Sequence, residues 1–308
     1  MRWDLHGIGI SGSTNDPELC RRWQAAFASL DDWPGRADLS VSLEVTATIP
    51  APPVGEPHFR QGDLLKYYTN GGNVIAHFPR YGQLQLDLAQ GTSQGHVVEA
   101  ALERYGVLED LIAIALSPHL RRRGRFLLHA FAAAYDNRAV LLVGGVGAGK
   151  TTTGMALLEA GWRLLSNDSP IVADNGQILS YPGLLAAYPD SMRRFAETKS
   201  LIHAQPEGRK LVVAAERVWP DVWVRQATPA SIFFPQIEPG GDHRLQPLTP
   251  PETLRRLLPH AVEQWDREMI PAHLGVLSRL AEMAPGYVLH LGPEVSAIPY
   301  VLAERVAS

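Results

Sequence analysis

Residues Gly144-Gly145-Val146-Gly147-Ala148-Gly149-Lys150-Thr151 match the spacing G-x-x-x-x-G-K-[ST] at every fixed position. The chemistry this pattern offers is polyphosphate binding. Glycines let successive backbone N–H groups turn toward one anion, and a helix opening at the lysine adds partial positive charge. Lys150 would reach the β- and γ-phosphates of a nucleotide such as ATP, and the Thr151 hydroxyl would ligate Mg²⁺, with Thr152 beside it. Lysine is a rare choice here. The chain holds only Lys66, Lys150, Lys199 and Lys210, its other cations being arginine. The competing reading is a glycine-rich turn that matches by coincidence.

A carboxylate must meet the metal or take a proton if such a loop is to do more than bind. Asp168, at the end of Ser166-Asn167-Asp168, is the candidate for both roles. As a bare residue after a strand it could equally be a turn former. His129, in the apolar run Phe126-Leu127-Leu128-His129-Ala130-Phe131, reads as a mid-strand residue. It is either a satisfied core histidine or a group aimed at the phosphates. The pair Arg209-Lys210, before the apolar run Leu211-Val212-Val213, could hold a nucleotide or phosphoacceptor, or be a solvated loop. The remaining histidines show no metal-ligand spacing and no HExxH is present, so zinc is not expected.

The elements around the loop fit its chemistry. Ala139–Val143 is apolar and β-branched, a buried strand. Thr152–Ala160 has helix formers and stops at Gly161. Trp162–Ser166 is the next strand. A strand–helix–strand unit makes the two strands parallel, which brings the loop and Asp168 to one sheet edge, where ligands of open α/β sheets sit. Further along, Asp174-Asn175-Gly176 predicts a hairpin between Ile171–Ala173 and Gln177–Tyr181. Lys210–Ala214 and Ser231–Phe234 predict strands. Pro251–Leu258, Ala261–Met269 and Ala272–Met283 predict helices, followed by a strand at Tyr287–Leu291 and a helix at Glu294–Arg305.

Upstream, residues 1–104 read as a smaller, β-rich α+β domain, with 105–308 as the α/β domain carrying the loop. Pro17–Leu30 predicts a helix opened by Asp16-Pro17. Ser40–Ile49 alternates like a strand, Asn70-Gly71-Gly72 marks a hairpin between Leu64–Thr69 and Val74–Phe78, Gln83–Leu88 alternates again, and Val107–Leu120 is an apolar helix. Two stretches compete for attention. Gly7-Ile8-Gly9-Ile10-Ser11-Gly12 fits G-x-G-x-x-G, but its helix starts too late and Asp31-Asp32 follows a helix rather than a strand, which argues against a dinucleotide site. Arg121-Arg122-Arg123-Gly124 reads as a solvated, dipole-complementing helix end rather than an anion patch.

Bulk properties narrow the function classes. With 308 residues, 45% of them hydrophobic, the chain can bury two cores. A formal charge of −4 argues against broad nucleic-acid binding. Cys20 is the single cysteine, so no intrachain disulfide is available and a cytoplasmic location is expected. The start lacks a signal-peptide core, and no apolar run approaches the roughly 20 residues of a membrane span.

Residues 125 to about 183 resemble the catalytic domain of HPr kinase/phosphorylase and its smaller relatives, which share a fold with phosphoenolpyruvate carboxykinase. The resemblance lies in an ordered set: His129-Ala130, then GGVGAGKTT, then Leu157-Leu158-Glu159-Ala160-Gly161-Trp162-Arg163-Leu164-Leu165-Ser166-Asn167-Asp168. Tyr181-Pro182-Gly183 and Tyr188-Pro189-Asp190-Ser191 are similar to the small HPr-kinase-like proteins, some of which modify peptides. It implies a P-loop kinase domain of this type with C-terminal helices, transferring phosphate from ATP, with Mg²⁺, to a Ser or Thr hydroxyl of a protein or peptide. It also implies that the residue matching His129 lies near the transferred phosphate, that Lys150 neutralises its charge, that Thr151 binds the metal, and that Asp168 is general base and metal neighbour. A homo-oligomer is left open. The chain departs from the bifunctional members at Asn167, where they carry a second aspartate, and at Thr152, where they carry an acid. It has no match to their phosphorylase signature, so kinase chemistry rather than phosphorolysis is implied. A nucleotide-binding scaffold without transfer, and a small-molecule kinase, are the alternatives.

Overall fold

Leu39, Val41 and Leu43 alternate with polar residues and are fully buried. That periodicity makes their strand the middle of a sheet with one face on a core. The computed structural model describes residues 1–70, 72–103, 106–195, 198, 210–261 and 263–306. Contacts divide the chain into two units, Met1–Arg123 with Glu263–Ile270, and Gly124–Val262 with Pro271–Ser308. The helix after residue 105 therefore groups with the first unit.

In chain order the first unit holds β1 (Arg2–Leu5), β2 (Ile8–Thr14), α1 (Pro17–Ala26), β3 (Asp31–Asp32), β4 (Leu39–Val45), β5 (Phe59–Gln61), β6 (Leu65–Asn70), β7 (Asn73–Phe78), β8 (Gly82–Asp87), β9 (Thr92–Val97), α2 (Ala100–Glu103) and α3 (Val107–Arg121). Among the described residues the strands form one sheet in the order β3-β1-β2-β4-β9-β8-β7-β6-β5. β2, β4 and β9 run parallel; the other neighbours are antiparallel. The expected β6–β7 hairpin forms with Asn70 opposite Asn73; Gly71 in its turn lies outside the described residues.

The G-x-G-x-x-G stretch is a hairpin, not a strand-to-helix loop. His6 and Gly7 make its turn with φ of 54° and 82°. Gly12 lies inside β2, where a Cβ would come within 2.9 Å of Trp3 and 3.0 Å of Trp23. Gly9 and Gly12 serve close packing against tryptophan rings, while Gly7 serves the turn. Asp16 caps α1, accepting from the Leu19 N–H at 2.7 Å, and the helix ends at Ala26, short of Leu30.

The arginine run at the end of α3 differs from a solvated helix end. The Arg121 side chain is 2% exposed and paired with Glu263 and Asp266, while Arg122 holds Asp266 and Glu268. The segment that supplies those carboxylates was expected to be a helix over 261–269; its described part, residues 261 and 263–269, is turns and irregular backbone. Turns let Glu263, Asp266 and Glu268 face one helix end while Trp265 stacks on Tyr67 with ring centroids 4.7 Å apart.

The second unit holds β10 (Arg125–Leu127), β11 (Ala130–Tyr135), β12 (Arg138–Val143), α4 (Lys150–Glu159), β13 (Arg163–Ser166), β14 (Ile171–Ala173), β15 (Ile178–Leu179), β16 (Leu185–Ala187), α5 (Pro189–Met192), β17 (Leu211–Val213), β18 (Gln226–Ile237), β19 (Arg244–Leu248), α6 (Pro250–Leu257), α7 (Ile270–Met283, apart from Ile270 itself), β20 (Gly286–Leu291) and α8 (Ile298–Ala303). The chain path through its large sheet is β10-β14-β15-β18-β12-β11-β13, with β20 also on β18 and β19 on β20. β12, β18 and β20 are parallel; β11 is antiparallel to both β12 and β13. The last helix is shorter than Glu294–Arg305: a 3₁₀ turn at Val295–Ala297 precedes α8, with Pro299 in its first turn. The chain is thus a mixed α/β protein with two large mixed sheets and several helices. Among the described residues no helix is long and apolar enough to cross a membrane.

Candidate functional site

β12 and β13 point the same way with antiparallel β11 between them. The C-terminal ends of β12 and β13 and the N-terminal end of β11 therefore share one sheet edge. The chain leaving β12 becomes the glycine loop, the chain leaving β13 becomes Asn167-Asp168, and the chain entering β11 has just passed His129. Ala130 pairs with Val143, and its N–H donates to the Asp168 carbonyl at 2.9 Å. The expected parallel relation of the two strands holds, through an intervening strand that sequence reading had placed only as a neighbour.

His129 is not mid-strand. The run Phe126–Tyr135 breaks at Leu128-His129, because their N–H groups leave the ladder and donate to the carbonyls of Pro170 (3.0 Å) and His260 (2.8 Å). The break frees the His129 ring to face the loop. Its Nε2 lies 3.2 Å from Lys150 Nζ and its Nδ1 3.3 Å from Asp168 Oδ1. Of the predicted residues, His129 thus touches both Lys150 and Asp168.

The loop's shape depends on two glycines. Gly147 and Gly149 have φ of 81° and 99°, which side chains tolerate poorly. At Gly149 a Cβ would also sit 2.8 Å from Leu291 Cδ1, and at Gly144 3.0 Å from the Ala148 Cβ. Gly145 carries no such demand. Ala148 donates to the Gly145 carbonyl at 3.3 Å, and Val146, at the tip, is 94% exposed. α4 then starts at Lys150, so the N–H groups of Lys150, Thr151 and Thr152 have no acceptor within the helix. Lys150 is only 8% exposed. Its ammonium donates to the carbonyls of Gly144 and of Gly145 (3.2 Å). Thr151 and Thr152 are half-buried in the first turn.

Charge and burial set the protonation states. Burial lowers the His129 pKa; Asp168 opposes that, and the cations Lys150 and Lys210 add to it. Burial likewise lowers the Lys150 pKa, opposed by Asp168 and reinforced by Lys210. His260, whose ring centroid lies 6.2 Å from that of His129, is lowered by burial and then by His129 and Lys150. A neutral His129 accepts from Lys150 at Nε2, which leaves Nδ1 as the protonated nitrogen facing Asp168.

Neighbouring loops are tied to this edge. Asn167 Nδ2 donates to the Leu184 carbonyl at 2.7 Å, and Thr152 Oγ1 donates to Ser191 Oγ at 3.1 Å. The Ser166 hydroxyl accepts from the Ser169 N–H at 3.1 Å, shaping the turn that carries Asp168. Lys210 Nζ sits 5.6 Å from the centre of the Tyr188 ring; Arg209 lies outside the described residues. Sequence reading missed His260 and Ser191. Ser191 stood in a motif already noted, but the sequence carried no sign that His260 would reach His129.

The oxygen donors near the loop are of the kind a hard cation takes. Thr151 offers a hydroxyl and Asp168 a carboxylate. Among the described residues no group of three or more His, Cys, Asp and Glu is arranged as a metal cage, and Mg²⁺ bound with nucleotide needs none. No protein-family model matches the chain, and no curated protein matches its sequence.

Proposed function

We propose that this chain is an ATP-dependent, Mg²⁺-requiring kinase of the HPr kinase type, with a P-loop kinase domain, that phosphorylates a Ser or Thr hydroxyl of a protein or peptide. One observation carries the reading: the His129 imidazole bridges the Lys150 ammonium and the Asp168 carboxylate at the sheet edge where the glycine loop meets α4. The loop amides and helix N-terminus would hold the β- and γ-phosphates, with Lys150 neutralising their charge. Asp168, half-exposed, takes the proton of the acceptor hydroxyl as its oxygen bonds to the γ-phosphorus, and the bond to the β–γ bridging oxygen breaks to leave ADP. His129 keeps Lys150 and Asp168 apart and oriented. Mg²⁺, held by Thr151 and Asp168, would supply charge neutralisation on the phosphates.

Incubation with γ-labelled ATP and candidate protein or peptide acceptors tests this, beside Lys150→Ala and Asp168→Asn. Transfer that persists in Asp168→Asn removes the base assignment. Asn167 favours a second reading, a nucleotide-binding scaffold without transfer. Its amide donates to a carbonyl, a contact an aspartate could not make, so one carboxylate alone remains at this turn. ATP binding by calorimetry with no turnover on any acceptor would select that reading.

A further inference from the structure

β12, β18 and β20 are parallel neighbours, so their C-terminal ends lie along one edge of the sheet. β18 pairs with β12 only as far as Phe233 opposite Leu142, then runs on beside β20 to Ile237 opposite Leu291. The last residues of β18 and β20 therefore form a wall that continues past the point where β12 gives way to the glycine loop. Gly149 sits against this wall: a Cβ there would meet Leu291 Cδ1 at 2.8 Å and Ile237 Cγ1 at 3.7 Å. Leu291 is buried, whereas Ile237 is 59% exposed. A single exposed isoleucine on open surface needs no explanation. This one stands where the strand wall, the loop and the start of α4 meet.

The wall is braced. His243 Nδ1 accepts the Gly292 N–H at 3.1 Å and its Nε2–H donates to the Glu294 carbonyl at 2.6 Å, which ties the chain after β18 to the chain after β20. The carboxylate of Glu238, next to Ile237, is taken by Arg244 at 3.0 Å and by His290. Ile237 is thus an apolar surface on a fixed support, with the neighbouring charge already paired. The sheet order supplies a direction. β11 and β13, which carry His129 and Asp168 at their ends, lie on one side of β12, and β18 and β20 lie on the other. A nucleotide with its terminal phosphate toward Asp168 extends its nucleoside toward the wall, at the strand ends where open α/β sheets take ligands.

Resting on the nucleotide-binding part of the kinase reading, we propose that Ile237, at the C-terminal ends of β18 and β20, is the apolar shelf on which the nucleobase lies. The loop and α4 would take the phosphates, and the isoleucine would take the flat face of the base out of water. A hydrocarbon shelf reads the presence of a base and not its hydrogen-bonding edge.

The test is calorimetry on the full chain, with Mg²⁺, of ATP, ADP and inorganic tripolyphosphate, which has the phosphates without the nucleoside. Ile237→Ala should weaken ATP and ADP alike by about three- to tenfold, the range of a few methylene groups left in water, and change tripolyphosphate by less than about twofold. Ile237→Phe keeps a broad apolar face and should hold ATP and ADP within about twofold of wild type. Unchanged ATP affinity in Ile237→Ala overturns the shelf. An equal loss for tripolyphosphate also overturns it, because the side chain would then act through the loop. A wild type that binds ATP without transferring phosphate ends the kinase reading and leaves the Ile237 comparison decisive. A wild type that binds neither ATP nor tripolyphosphate ends both.

Discussion

His129 Nδ1 lies 3.3 Å from Asp168 Oδ1 while the opposite ring nitrogen faces Lys150, so one imidazole stands between a carboxylate and an ammonium. This works only while the ring is neutral, since a protonated Nε2 would point an N–H at an ammonium. Burial favours the neutral form by lowering the His129 pKa from its ordinary 6.5. The arrangement is therefore complete above pH 6.5 and is lost as pH falls through the lowered pKa. Transfer rates should be flat near neutrality with an acid limb below pH 6.5. His129→Leu should cut kcat by roughly 10²-fold, the scale of one positioned proton-handling group, with a smaller change in KM for ATP. A His129→Leu enzyme with wild-type kcat would remove the ring from the mechanism.

Lys150 sets the other limb. Its pKa is lowered from 10.5, first by burial. In the proposed kinase it would bind phosphate only when charged, so activity should fall on the alkaline side at a pH below that of an ordinary lysine. Lys150→Met keeps the stem but loses the charge and the bonds to Gly144 and Gly145. It should lower kcat/KM by about 10²–10³-fold, as expected for one strong electrostatic donor. Retention of the wild-type alkaline limb in a residually active Lys150→Arg variant would assign that limb elsewhere.

Gly149 and Leu291 meet at the root of the loop. A side chain at position 149 suffers twice, from a φ of 99° and from Leu291 Cδ1 at 2.8 Å. Gly149→Ala should destabilise the protein by about 1–3 kcal/mol and weaken nucleotide binding. The double variant Gly149→Ala with Leu291→Ala should recover only the steric part of the nucleotide affinity, because the backbone cost remains. Full recovery in calorimetry would show that packing alone, not the left-handed backbone, demands glycine there.

The loop and its flanking elements were legible because they are local. Gly144 to Thr151 lie in one stretch, Val143 and Lys150 sit at the ends of strong periodic patterns, and Asp168 follows from strand order. His129 was legible as a residue but not as a geometry. Its exit from the strand depends on carbonyls of Pro170 and His260, the second far away in sequence. Weakly patterned strands escaped too. Thr92–Val97 reads Thr-Ser-Gln-Gly-His-Val, and becomes a strand because β4 and β8 flank it. Gly154 shows the same limit. It is a poor helix residue in isolation, yet a Cβ there would come within 2.4 Å of the Phe131 ring, so tertiary contact overrides propensity.

The arginine run at the end of α3 was misread for that reason, and it yields the sharpest stability test. Arg121 is buried and pairs with Glu263 and Asp266, more than 140 residues away in sequence. Burial alone would raise the Asp266 pKa, but hydrogen bonds from Arg122 and Arg121 outweigh it and hold the carboxyl below its ordinary 3.8. Its contribution to stability is thus present above pH 3.8 and lost as pH falls through the lowered value. Asp266→Asn keeps the shape but takes from the buried Arg121 its buried carboxylate partner and leaves it Glu263, and should cost up to about 3–5 kcal/mol in denaturant titration at neutral pH. Glu18→Gln, which breaks the exposed pair of Glu18 with Arg21, should change stability by less than about 0.5 kcal/mol. Equal, small losses in the two variants would mean that Arg121 is solvated in solution and that the 263–270 segment does not depend on it.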